Sequence, residues 1–355
     1  MQMPILIKPN ARLYNLDYVR GIAAFFIMLY HFLGWRGFEY TSSDFFGRIG
    51  LYGVAIFYIL SGLTLYHVYF DRLKYSTREI LDFAKKRVLR IFPLLWLASI
   101  LSIIFYKFHP SIFDLFMSLT GLFGFFKWDT YFATGAWSIG NELVFYVFFP
   151  AFLFLLKNNK AGFFLFALII FAIGGYFAFF KLKEALGTED AWSIYVNPLN
   201  QVFLFLTGII IGYYLKNKRV NQISNLTVLG LAILLFIFYP SNGPGMELTV
   251  GLNRVIFSSL CAAIIACFYK LELQVPDFLH KPLTLLGETS YSVYLLHPLV
   301  YTIVVFILKL ISKSGYNFNI TGFIIPISLI GTIFTSYIVY KYYEKFFIRL
   351  GGKKL

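Results

Sequence analysis

Charged residues are scarce in this chain: only 14% of its 355 residues are Asp, Glu, Lys or Arg. No polar stretch is long enough to build a separate soluble domain. Cysteine is nearly absent. The two present, Cys261 and Cys267, lie six residues apart in one apolar segment. On a helix they point to different faces and cannot readily form a disulfide, and neither has a partner at metal-ligand spacing, so they read as core or lipid-facing residues. The sequence also lacks a cofactor fingerprint, an internal repeat and a low-complexity linker. Its N-terminus lacks the short apolar core and small-residue cleavage site of a secretory signal, so the first helix is expected to stay as an anchor.

What is abundant is apolar surface: the chain is 59% hydrophobic and 21% aromatic, with mean hydropathy +0.72. Apolar runs near 20 residues recur from end to end, the pattern of an all-α polytopic membrane protein. They predict ten spans, at 17–35, 49–70, 91–106, 132–156, 161–180, 198–215, 224–239, 252–269, 283–308 and 320–341. The segment 111–126 is apolar too, but short and interrupted by Asp114 and Gly121. With ten crossings and the N-terminus inside, 22 of the 31 Lys and Arg residues flank the inner face and nine the outer face, a positive-inside bias. A crossing at 111–126 would move Lys157, Lys160 and the Lys216–Arg219 cluster outside. The expectation is therefore about ten transmembrane helices with both termini cytoplasmic, and 111–126 interfacial at the outer surface or re-entrant. The net charge of +14 is then mostly inner-leaflet flanking charge, attractive to anionic lipid, and makes no case for nucleic-acid binding.

Ionisable groups inside a bilayer are costly and usually functional. Arg20 opens the first span and His31 follows eleven residues deeper. That is nearly three helical turns, so both project from one face about 16 Å apart. The structural alternative is one snorkelling arginine and one histidine hydrogen-bonded to a neighbour. Glu142 follows in Trp137-Ser138-Ile139-Gly140-Asn141-Glu142. With Ser138 as an N-cap, Glu142 lies about one turn below the outer surface, the depth also expected of His31. A carboxylate and an imidazole at one depth either abstract a hydroxyl proton together or lock two helices as a buried pair. Ser290, Tyr294 and His297 form a polar stripe at i, i+4, i+7, facing a bundle interior as packing or as substrate contacts. Arg87 and Arg90, one turn apart at the inner surface, suit bidentate phosphate binding or are flanking charge. His67, His109 and His280 read as interfacial or solvated.

Five motifs occur in order: Leu16-Asp17…Arg20-Gly21…His31, Ile59-Leu60-Ser61-Gly62, Arg87…Arg90-Ile91-Phe92-Pro93, Trp137-Ser138…Glu142…Phe145-Tyr146 and Ser290-Tyr291-Ser292…Tyr294-Leu295…His297. Together they resemble the integral-membrane acyltransferase-3 family, which acylates bacterial surface carbohydrates. The resemblance spans nearly the whole chain. It departs from the family where members often carry acidic residues, at Ala55 and Leu143, which leaves Glu142 as the main carboxylate.

The resemblance implies one membrane acyltransferase domain over 1–355 in the cytoplasmic (inner) membrane. It implies acetyl-CoA as donor co-substrate, a hydroxyl of lipopolysaccharide, capsule or exopolysaccharide as acceptor, and no metal. Arg20, Arg87 and Arg90 are then the donor-binding residues, and His31 and Glu142 the catalytic ones. Trp137, Ser138, Tyr294 and His297 are the substrate-binding ones. Some relatives carry a fused extracytoplasmic domain, which is not expected here, so a separate partner is an option for a final transfer step. The competing readings are a transporter or flippase, and a non-catalytic subunit of a polysaccharide export system.

Overall fold

The computed structural model describes residues 12–272, 275–313 and 320–353. Its elements are α1 Tyr14–Gly34, α2 Phe45–Tyr69, α3 Thr77–Tyr106, α4 Ile112–Thr120, α5 Phe123–Phe126, α6 Ala136–Asn158, α7 Lys160–Ala185, α8 Asp190–Val196, α9 Pro198–Leu215, α10 Gln222–Phe238, α11 Gly251–Lys270, α12 Asp277–Lys313 and α13 Ile324–Gly352. Among the described residues nine helices are long and apolar enough to cross a membrane, α8 and α9 counting as one. The protein is an all-α polytopic membrane protein. The expected span 224–239 is α10, a 17-residue helix of about 26 Å, shorter than the other nine.

Helix ends in an apolar medium leave carbonyls without water to satisfy them. The end of α10 is closed by Arg48, only 2% exposed. Its guanidinium donates to the carbonyls of Phe236, Ile237 and Tyr239 and, from Nε, to that of Ser42. At the other end Asn221 accepts from the Ile223 and Ser224 amides. Charge just outside a predicted span thus became a buried clamp.

The centre of the bundle is held by two tight helix pairs, α1 with α12 and α2 with α9. Both rest on glycine. A Cβ on Gly21 would lie 2.6 Å from the Gly287 nitrogen, and one on Gly62 would collide with the Phe205 carbonyl. Such close backbone approach is how membrane helices associate without a hydrophobic drive. It also sets Arg20 and Ser61, the neighbours of these glycines, against the interior. Residues such as Leu165, Leu168, Phe306 and Ile330 point outward and are exposed, as lipid-facing positions should be.

The segment 112–126 forms α4 and α5 rather than a span. Ser111 caps α4 by accepting from the Asp114 amide, and Lys127 and Ser111 hold the Asp114 carboxyl below its usual range. Trp96 Nε1 donates to the Leu119 carbonyl at 2.7 Å. Phe123 is buried, and a Cβ on Gly124 would meet the Gly140 carbonyl. Consequently α6 starts inside the protein, with Ala136, Trp137 and Ser138 all buried. Ser138 is not its N-cap as expected: Gly135, at φ +83°, holds that position, and Ser138 is the third helical residue.

Candidate active site

Arg20 from α1, Ser61 from α2, Arg87 and Arg90 from α3, Glu142 and Tyr146 from α6 and Tyr294 from α12 converge on one chamber of about 260 Å³. Three of the four charged residues that line it are arginines, and Glu142 is the single carboxylate among the described residues of the lining. Ser61 Oγ donates to Glu142 Oε1 at 2.7 Å, and the Tyr146 hydroxyl donates to the same oxygen. The Arg87 guanidinium lies 5.8 Å from the Tyr146 ring and 5.9 Å from that of Phe83. Its Nε is buried with no hydrogen-bond partner among the described residues, nor does any carboxylate there pair with Arg87 or Arg90. Arg20 differs, since its guanidinium donates to Asp17 at 2.9 Å.

A vestibule of about 440 Å³ adjoins the chamber and shares Arg20, Thr64, Val68 and Arg90 with it. Here Arg12 bridges Asp17 at 2.7 Å and Glu288 at 2.5 Å. Glu344 also faces this space, buried and accepting from the Ser292 hydroxyl. It escaped the sequence reading because the last predicted span stopped at 341, whereas α13 continues through a π-helical turn at Val339–Glu344.

At the other end of the chamber Ser138 and Tyr294 share a hydrogen bond of 2.9 Å, and Tyr58 donates to the Ser138 carbonyl. Beyond Tyr294, whose ring is 6.3 Å from that of His297, lies a histidine pair. His297 Nε2 and His31 Nδ1 are 2.9 Å apart. Trp137 sits beside the chamber rather than in its lining, packed on Trp192 and Tyr195.

The matched depth expected of His31 and Glu142 is not found. Glu142 bonds to Ser61, which lies eight residues before the end of α2 at Tyr69, about 12 Å along that helix. It belongs to the level of the arginines. His31, three residues from the opposite end of α1, is not in the chamber lining and pairs with His297. The depth count failed because it began α6 at a membrane surface, and the packing of 112–135 starts that helix in the interior instead.

Two further residues went unrecognised in the sequence. Asn141 donates to the Val196 carbonyl and to Tyr58. Arg254, 2% exposed, donates to Gln201 Oε1 and the Asn200 carbonyl, with the rings of Tyr52, Tyr195 and Phe203 around it. An arginine inside the run 252–269 was the available signal. Of the other histidines, His67 meets the Tyr269 hydroxyl at 2.9 Å and lines the vestibule, His280 meets that of Tyr18, and His109 is exposed. Cys261 and Cys267 are free and buried. Among the described residues no three His, Cys, Asp or Glu side chains gather as a metal site.

The match to known proteins covers the elements that build this chamber. A family model described as an acyltransferase domain, that of the acyltransferase-3 family, matches residues 13–341. The chain belongs to the acyltransferase-3 family. It is similar to the peptidoglycan O-acetyltransferase of Listeria monocytogenes, with 22% identity over 83% of this chain and 50% of the relative. It is also similar to a protein of the Acidianus two-tailed virus that carries an acetyltransferase name, with 25% identity over 79% of this chain and 81% of that protein. The chain thus spans about half the length of the Listeria relative. No solved structure matches. The acyltransferase-3 model thus spans the helices that carry the arginines, Glu142 and the histidine pair.

Proposed function

We propose that the protein is an O-acyltransferase that moves an acyl group, most simply acetyl, from cytoplasmic acyl-CoA to a hydroxyl of a surface carbohydrate such as lipopolysaccharide, capsule or exopolysaccharide. The carrying observation is the chamber: three arginines, two of them without a carboxylate partner among the described residues, around a buried polar passage that leads towards a histidine pair. Arginine matches phosphate in geometry and charge, and coenzyme A presents several phosphates at one end of a long, narrow arm.

In this reading the vestibule opens to the cytoplasm and the protein sits in the inner membrane. Arg87, Arg90 and Arg20 hold the phosphates, with Arg20 exchanging Asp17 for the ligand. The pantetheine arm runs past Glu142, Ser61 and the Ser138–Tyr294 pair, so the thioester arrives near His31, about 16 Å along α1 from Arg20. His31 takes the proton of the acceptor hydroxyl as its oxygen attacks the thioester carbonyl. General-base help of this kind is worth about 10²–10⁴ in rate. Glu142 does not orient His31; its place among the arginines suits the amide groups of the arm, which its carboxylate accepts from, and it fixes Tyr146 beneath Arg87. The peptidoglycan activity in the name of the Listeria relative makes an envelope glycan the acceptor class to test first. A protein domain or partner outside the membrane completes the transfer if the acceptor lies beyond reach of the bundle.

Surface glycans from a deletion strain and from strains complemented with wild type or His31→Ala should be compared by mass. Acyl groups present only with wild type support the proposal. Identical glycans in all three strains would remove it and favour transport.

A further inference from the structure

His31 and His297 are 266 residues apart and meet ring to ring, which poses a question of proton position. A neutral imidazole carries one N–H and one lone pair, and each nitrogen's role is fixed by what the other nitrogen meets. His297 is 1% exposed, and its Nδ1 stands 3.0 Å from the Val293 carbonyl. A carbonyl only accepts, so Nδ1 of His297 bears the proton. Its Nε2 is then a lone pair, pointing at His31 Nδ1 at 2.9 Å. That contact is a hydrogen bond only if His31 Nδ1 donates. His31 Nε2 makes no hydrogen bond to the described residues.

We propose that His297 is a positioning residue for His31: anchored by Val293, it imposes the Nδ1–H tautomer and leaves the His31 Nε2 lone pair free as the base. The role differs from the substrate contact expected of His297, and it rests on the function proposed above. The two rings meet edge to edge, and their orientation is held by Trp35 stacked along both. The two imidazoles are 18° from parallel at 5.0 Å, and Trp35 lies along both, 16° from His31 and 19° from His297. Pro298 follows directly inside α12, where its missing N–H removes one rung of the helix ladder beside the pair.

During transfer the acceptor oxygen attacks the thioester carbonyl carbon while its proton passes to His31 Nε2. The resulting imidazolium keeps its Nδ1–H on the lone pair of His297, a charge-assisted bond stronger than the neutral one. The C–S bond then breaks, and the proton returns from Nε2 to the departing thiolate, leaving the ester and free CoA. The pair ends as it began.

The test uses the full chain in liposomes with ¹⁵N-histidine, each signal assigned by loss in His31→Gln and His297→Gln. Nitrogen shifts distinguish a protonated from an unprotonated ring nitrogen. His31 should carry its proton on Nδ1 in the wild type, and a proton on Nε2 would overturn the proposal whatever the activity. Acetyl-CoA cleavage by purified variants, with de-O-acylated envelope glycan supplied as acceptor, gives the second readout. His297→Phe, which cannot accept, should lower kcat about 100-fold with KM for acetyl-CoA within about twofold. His297→Gln should restore most of the loss, since its amide oxygen accepts from His31 and its NH₂ reaches Val293. A His297→Phe protein with unchanged kcat overturns the proposal, as does a Gln variant as inactive as Phe but equally folded. A wild type that cleaves no acetyl-CoA refutes the acyltransferase reading instead, and the nitrogen shifts still decide the tautomer.

Discussion

Replacing Arg87 and Arg90 together by alanine should separate donor binding from folding. The two guanidinium groups line the chamber without a carboxylate partner among the described residues, and Arg87 Nε is buried without a hydrogen bond there. Their removal breaks no ion pair among the described residues and relieves the repulsion between Arg90 and Arg20. The fold loses only the stacking of Arg87 near Phe83 and Tyr146, worth about 0.5–2 kcal/mol. A hydrogen bond to a charged group contributes about 1.5–3 kcal/mol, so losing even one of the two phosphate contacts weakens CoA binding by roughly 10- to 150-fold. Titration calorimetry of CoA into purified protein reads this directly, with the thermal midpoint of the ligand-free protein as the folding control. The loss should hold for CoA and acetyl-CoA alike, and the wild-type affinity should fall with salt, because charges near a surface are screened. CoA affinity within twofold of wild type in a well-folded double variant would refute the assignment and reduce both arginines to flanking charge.

Glu142→Gln removes the only acidic side chain among the described residues of the chamber lining; CoA affinity measured by the same titration should fall about tenfold, the order of a weakened polar contact to the arm of the donor. Arg48→Met leaves the carbonyls of Ser42, Phe236, Ile237 and Tyr239 without their donor, at about 1–3 kcal/mol for each that water cannot reach. Its thermal midpoint should drop sharply, while acetyl-CoA cleavage per folded molecule stays at the wild-type level.

Hydropathy and charge located nearly every long helix because a bilayer forces both signals into local sequence. The motif residues Arg20, Arg87, Arg90, Glu142, Ser138 and Tyr294 were likewise legible as candidates, and the fold brings all six to one chamber. Their depth was not legible. It depends on α5 folding against α6, a tertiary contact centred on two glycines, Gly124 and Gly140, that no local pattern announces. The same holds for Arg48, Arg254 and Glu344, which looked like flanking or stray charges and proved buried. Each hydrogen-bonds to partners on other segments, and the sequence holds no local record of that pairing. His31 and His297 could each be flagged as intramembrane histidines, but only the packing of α1 on α12 through Gly21 and Gly287 makes them a pair.

The most direct test of the central claim is release of CoA thiol from acetyl-CoA, with de-O-acylated envelope glycan supplied as acceptor, by the purified protein and by His31→Ala, followed with a thiol reagent alongside CoA titration. Wild type should release thiol. His31→Ala should bind CoA with unchanged affinity, since its side chain lies outside the arginine chamber, and should lose at least about 100-fold in turnover. Thiol release within a few-fold of wild type by a folded His31→Ala protein, or none from wild type at saturating acetyl-CoA, would contradict the account.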